Sequence, residues 1–329
     1  MSIIDDIENI IKAKSVTWTY APIEPNRTPT GLTNDPILPD EHYMSVTMRS
    51  CKIPDLRDLF TKFYGTVQSY AEIQSGTGDI ATFQTITTPG KLQDADPTNL
   101  DRTIVQDIPL LGPVPFTGGN FLIQIGLFAL KEADLIGPYL NLLGTIAQTA
   151  GISFMSQAVN LATPILNGVS GIVQQSAGGL QIGLYKGFAE PETPIQGYYS
   201  VIAAPAGTID TSNLAIDNGE RLVYFDSRIE IDAPYLVFTI ERFTARSDWR
   251  QIPDVKKAFA ALLTAEQSAD RNKITDAMTS FKVVVASCQD LLSDDRNTVI
   301  NKVQTEVTAL LNQLPNPHGS VLNLQSIHL

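Results

Sequence analysis

Between Asp134 and Lys186 the chain carries no Asp, Glu, Lys, Arg or His, although charged residues make up 18% of the whole sequence. At that average the stretch should hold about nine charges, so chance does not explain the gap. Other residue types are scarce as well. Two cysteines, Cys51 and Cys288, give no disulfide framework and suit a reducing compartment. Three histidines, His42, His318 and His328, stand in no ligand spacing with Cys or with one another, which argues against a zinc site. Basic residues number 23 against 35 acidic ones, a formal net charge of −12. Without a clustered basic surface, neither a nucleic-acid backbone nor an anionic lipid headgroup is an expected partner.

No run of 18 apolar residues occurs, so an ordinary transmembrane helix is not expected. The first residues (MSIIDDIENIIKAK) carry Asp5, Asp6 and Glu8 where a secretion signal would be basic. They read as a short amphipathic helix with Ile3, Ile7, Ile10 and Ile11 on one face, and the expected location is cytoplasmic.

What is present is a folded chain of 329 residues, 43% hydrophobic, long enough for one large core or two smaller ones. β-branched and aromatic runs predict strands at 15–21, 43–49, 63–73, 80–86, 103–106, 121–131, 179–188, 197–204, 221–225 and 235–243. A short helix is predicted at 54–62. Asp217-Asn218-Gly219 predicts a hairpin turn with positive φ. From Pro253 the period becomes helical, over 254–265, 267–287 and 293–313, with Ser293 as N-cap and Asp294 and Asp295 in the first turn. The tail (SVLNLQSIHL) suits one more strand.

Short strands at uneven spacing, without strand–helix alternation, predict an α+β chain built on an antiparallel β-sandwich. Its shape would be C2-like or similar, and no motif identifies that family. Four parts follow: 1–132 and 179–250 as the two halves of the sandwich, 133–178 as an inserted helical hairpin, and 251–329 as C-terminal helices and tail. The strands flanking the insertion share the residues Gln-Ile-Gly-Leu, at 124–127 and 181–184, which suits neighbours in one sheet.

Within the uncharged stretch, Leu135, Ile136, Tyr139, Leu140, Leu142, Leu143 and Ile146 fall on one side of a first helix. Asn141, Thr145, Gln148 and Thr149 fall on the other. A second helix over 152–173, interrupted by Pro164 and Gly168, alternates Phe154, Val159 and Ile165 with Ser156, Gln157, Asn160 and Thr163. A polar face that meets water normally carries Lys or Glu. A neutral one suits close packing and shared hydrogen bonds in a low-dielectric place. Three environments fit: cover by the rest of the chain, an interface in an assembly, or a bilayer with the amides paired around a lumen. Leu135, Tyr139, Leu142, Leu143, Ile146, Phe154, Val159 and Ile165 are the expected contact residues.

Catalytic signatures are weak. Gly168-Val169-Ser170-Gly171 lacks the spacing of a nucleophile elbow, and no Walker A sequence exists. Gly76-x-Gly78-x-x-Ala81 is followed by strand and turn, not by the helix a pyrophosphate needs. Cys51 with His42 is the one thiol–imidazole combination, with no spacing to recommend it. Asp94, Asp96, Asn99 and Asp101 place oxygen ligands within eight residues, so Ca²⁺ is the one cofactor in view. The EF-hand pattern fails there, with Asn99 at the sixth position and Val105 at the twelfth. Arg242, Arg246 and Trp249 lie in the densest polar-aromatic group (ERFTARSDWR) and read either as a partner contact or as a paired strand-to-helix junction.

The expected role is therefore non-enzymatic: a bacterial effector or interaction subunit that pairs with itself or with another protein through the uncharged hairpin. A membrane-inserting pore-forming effector is the second expectation, and an enzyme with a scattered site the third.

Overall fold

The computed structural model describes residues 18–52, 57–58, 61–74, 78–86, 104–131, 154–155, 180–188 and 192–313. Among them are antiparallel sheets and three α-helices, an α+β chain. The predicted N-terminal helix and the C-terminal strand lie outside the described residues.

One five-stranded sheet contains β1 (Thr19–Ile23), β2 (Tyr43–Lys52), β6 (Ile104–Pro115), β9 (Gly197–Ile202) and β12 (Tyr235–Phe243), in the order β1-β9-β12-β2-β6. A second joins β3 (Arg57–Asp58), β4 (Thr61–Gln74), β7 (Phe121–Lys131) and β8 (Leu180–Phe188) in that order, with β5 (Ile80–Ile86) also paired to β4. A small hairpin, β10 (Leu214–Ile216) and β11 (Leu222–Tyr224), completes the β portion.

One buried cluster takes side chains from both large sheets: Met44, Val46 and Met48 of β2 and Phe238 and Ile240 of β12 join Ile123, Ile125 and Leu127 of β7. The other face of the first sheet is covered too, because Tyr198, Ile202, Tyr235 and Val237 pack with Leu214, Ile216 and Leu222 of the small hairpin. Buried on both faces, β9 (GYYSVI) and most of β12 lose the polar–apolar alternation of a half-solvated strand.

The two Gln-Ile-Gly-Leu segments are direct neighbours. β7 and β8 pair antiparallel with Ile125 opposite Leu184, Gly126 opposite Gly183 and Leu127 opposite Ile182. The chain between them, which holds most of the uncharged stretch, is thus an insertion between two hydrogen-bonded strands.

The predicted helix at 54–62 is not formed where the chain is described. Arg57 and Asp58 pair with Lys62 and Thr61 as adjacent strands, so sheet pairing overrides the local helical signal. At 217–221 the positive φ falls on Glu220 (57°), not on Gly219. There the Asp217 carboxylate accepts the amides of Gly219 and Arg221 at 2.9 Å each, an Asx-type closure that moves the strained residue one place on.

The helices are α1 (Pro253–Gln267), α2 (Arg271–Ala286) and α3 (Ser293–Gln313). Val255, Phe259 and Leu262, then Ile274, Met278, Phe281 and Val285, then Val299, Val303, Val307 and Leu310 recur at helical spacing and meet in a second core around Trp249. α2 starts later than the predicted 267 because Ala269 takes positive φ (52°) and Asp270 caps the new helix, accepting from the amides of Asn272 and Lys273 at 3.0 and 3.3 Å.

Candidate functional site at the junction of the sheets and the helices

β12 leaves the first sheet at Phe243 and the chain enters the helical core at Trp249. Arg246 lies between them and is 1% exposed. An isolated buried guanidinium is costly, so its donors must be satisfied. Asp248 accepts from Nε at 2.6 Å and from one terminal nitrogen at 3.1 Å. The other terminal nitrogen donates to the Pro113 carbonyl of β6 at 2.8 Å and to the Asp290 carbonyl at 3.4 Å. The guanidinium carbon lies over the Phe154 ring, 4.8 Å from its centroid. The Arg246 amide donates to Asp295 at 2.9 Å, and the Tyr43 hydroxyl donates to the same carboxylate oxygen at 2.6 Å. That hydroxyl also accepts the Leu292 amide at 2.8 Å. Burial and the Asp295 carboxylate both push the Tyr43 phenol well above the usual range, so it stays a neutral donor.

Two residues of the uncharged stretch reach this junction. Phe154 packs against the helical core, and Met155 belongs to the core shared by the two sheets. The Met155 amide donates to the carboxylate of Asp290, a residue with no exposed surface in the loop between α2 and α3. Adjacent residues of one segment thus enter two different cores.

Of the residues singled out from sequence, Phe154, Arg246 and Trp249 are brought together here. Trp249 is buried among Phe259 and Phe281, with ring centroids 5.4 and 6.3 Å away. Arg242 is elsewhere, bonded to Asp35 at 2.9 Å and to the Pro36 carbonyl at 3.3 Å. Leu135, Tyr139, Leu142, Leu143, Ile146, Val159 and Ile165 lie outside the described residues, as do Asp94, Asp96, Asn99 and Asp101. Tyr43 and Asp290 carry no local signal in the sequence. Asp295 stands out as part of the acidic first turn of α3, but its partners Arg246 and Tyr43 are 49 and 252 positions away.

His42 precedes β2 and its Nδ1 accepts the Leu38 amide at 2.9 Å, while Cys51 is near the far end of that strand. Nine residue steps along the strand separate them by roughly 30 Å, too far for a nucleophile and its base. Burial raises the Cys51 thiol from 9.0 to about 12. Burial likewise raises Cys288 from 9.0 to about 11. Neither is an activated nucleophile at neutral pH.

A cleft of about 630 Å³ opens beside the junction, between α1, α2 and the residues leading into β5. Asp79, Asp254, Lys257, Gln289, Cys288 and Asp290 are among its lining residues. Among the described residues no group of three or more His, Cys, Asp or Glu is placed to hold a metal, and no helix is long and apolar enough to cross a membrane.

No family model, curated protein or solved structure matches this chain.

Proposed function

We propose that the chain is a non-catalytic assembly subunit whose working surface is the part of the uncharged segment 135–185 that precedes β8, with a second copy of the chain as its first partner. The observation that carries this reading is the segment's place between β7 and β8. Two antiparallel neighbours need only about two to five residues to connect them. Here the chain runs instead from Lys131 to Leu180 before the ladder resumes. Sheet continuity does not require such an insertion, and long insertions on rigid scaffolds commonly carry function. Its lack of charge makes solvent a poor neighbour and a covered interface a good one. The scaffold reading is that the two large sheets pack face to face as a sandwich, supported by the buried cluster that draws on both; a C2-like connectivity remains a comparison of shape.

Light scattering on the eluting full-length chain tests this. The expected result is a mass above that of one chain for the natural protein and a return to the monomer mass for Leu142→Asp, with unchanged circular dichroism. A monomeric natural protein overturns the proposal. So does a Leu142→Asp chain that unfolds, because the segment is then core. Release of dye from liposomes by the natural protein, abolished in Leu142→Asp, would move the same surface into a bilayer.

A further inference from the structure

We propose that Glu220 makes the small hairpin an acid-locked cover on the outer face of the first sheet: a proton on its carboxyl holds the hairpin tip down, and loss of that proton lets the tip lift. This goes beyond the assembly reading and does not rest on it. The hairpin strands lay Leu214, Ile216 and Leu222 against Tyr198, Ile202, Tyr235 and Val237 of the sheet. At the tip the chain turns back through Glu220, whose φ of 57° is uncommon for a residue with a side chain. Strain of that kind persists only where surrounding contacts impose it. Two do so here. The Ser50 hydroxyl of β2 donates to the Glu220 carbonyl, and the Tyr198 hydroxyl of β9 donates to Oε1 at 3.2 Å. The other carboxyl oxygen, Oε2, is buried without a hydrogen-bond partner among the described residues.

The surrounding charges leave this carboxyl without a cation of its own. Arg49 of β2 attracts it, but the Arg49 nitrogens are bonded to Thr239, Asp107 and Glu241 at 3.2, 2.9 and 2.5 Å. Arg221, the next residue along, is held by Asp217 of the same turn at 2.6 Å. Lys52 donates to the Ile231 carbonyl at 3.0 Å and pairs with Glu230 at 3.7 Å. An ionised Glu220 therefore has one donor for two oxygens, half out of water, among acids whose cations are already engaged. Burial, with the repulsion of Asp107 and Asp217, holds its carboxyl above the ordinary 4.5, against the pull of Tyr198 and Arg49. Tyr198 keeps its own proton throughout, because burial pushes its phenol up to about 12. The folded chain thus binds the Glu220 proton more tightly than the unfolded one. The hold on the tip is complete below 4.5 and is lost as pH rises through the folded value.

Carbon NMR of the Glu220 carboxyl in the full-length chain should show it titrating above 4.5. Hydrogen exchange, corrected for the intrinsic rate at each pH, should find residues 214–224 several-fold better protected at about pH 4.5 than at about pH 7.5, with β12 unchanged. Glu220→Gln cannot ionise, so it should show at both pH values the protection that the natural protein shows in acid. Glu220→Gly suits the positive φ and also removes the acid, so it too should lose the pH dependence, which covers a glutamine that fails to fit. A Glu220 that titrates at or below its ordinary value overturns the proposal. So does hairpin protection that is the same at both pH values in the natural protein. A pH dependence that persists in both variants places the titrating group elsewhere, and a loss shared equally by β12 means that the whole sheet opens; either result also overturns the lock.

Discussion

Tyr43 does two things with one hydroxyl. It donates to Asp295 and accepts from the Leu292 amide, both inside the junction, so removing the oxygen orphans that amide and leaves the Asp295 oxygen with the Arg246 amide as its remaining donor. Leaving a buried polar group unpartnered costs about 1–3 kcal/mol. Tyr43→Phe should therefore lower stability by about 1–3 kcal/mol, read as a lower urea midpoint with an unchanged slope; a loss under about 0.5 kcal/mol would show that water replaces the hydroxyl. At this scale the sequence reveals one partner of each pair. Arg246 and Asp248 are two residues apart and stand out as a dense polar group. Asp290 and Asp295 join them only through the packing of helix on sheet, and no local pattern announces a contact across that distance.

Elements were more legible than contacts. β5, β7, β12 and α3 begin and end where apolar and β-branched runs place them, because each run is long enough for its period to dominate. β6 is an instructive exception: only Thr103 to Gln106 reads as strand, yet the element extends to Pro115 through Pro109, Gly112 and Pro113. Those residues break strand propensity and are tolerated where the pairing of β2 with β6 shifts register, between Met44 and Val46, between Val46 and Thr47, and between Met48 and Ser50. Gly112 shows the local reason. Its φ is +76°, and a Cβ there would sit 2.4 Å from the Met44 carbonyl oxygen and 2.8 Å from the Val114 amide nitrogen. Both are backbone atoms and cannot swing aside. Gly207 has φ +83° and nothing within 4 Å, so it isolates the conformational cost alone. Gly207→Ala should cost about 1–2 kcal/mol. Gly112→Ala should cost at least about 2 kcal/mol more, as strain and backbone clash add. Urea denaturation of both variants measures the difference, and equal losses would mean that the bulge opens freely.

On the scale of the molecule, two cores and a covered outer sheet face leave an unusual set of titratable groups inside. Burial raises Cys51 and Cys288 to about 12 and about 11. Tyr198 and Tyr199 are raised from 10.0 to about 12, again chiefly by burial. Tyr20, Tyr43 and Tyr70 are displaced in the same direction. All are acids whose neutral form the fold prefers. In the unfolded chain they ionise at their ordinary values, 9.0 for the thiols and 10.0 for the phenols. Below those values both states hold the proton and the preference contributes fully. Above them the unfolded chain binds fewer protons than the native one, so stability falls as pH rises, until the folded groups ionise too. Each such group contributes a slope of up to about 1.4 kcal/mol per pH unit. The groups sit in β1, β2, β4, β9 and the loop after α2, so the loss is global and not the fraying of one edge. Urea midpoints should accordingly stay level with respect to these groups up to about pH 8.5 and drop steeply between about pH 9.5 and 11. Of the ten tyrosines, these five should give tyrosinate absorbance only as the chain unfolds. The full ten-tyrosine absorbance forming in step with a free phenol, while circular dichroism stays native, would show that these side chains meet solvent and that the two cores are not closed as described.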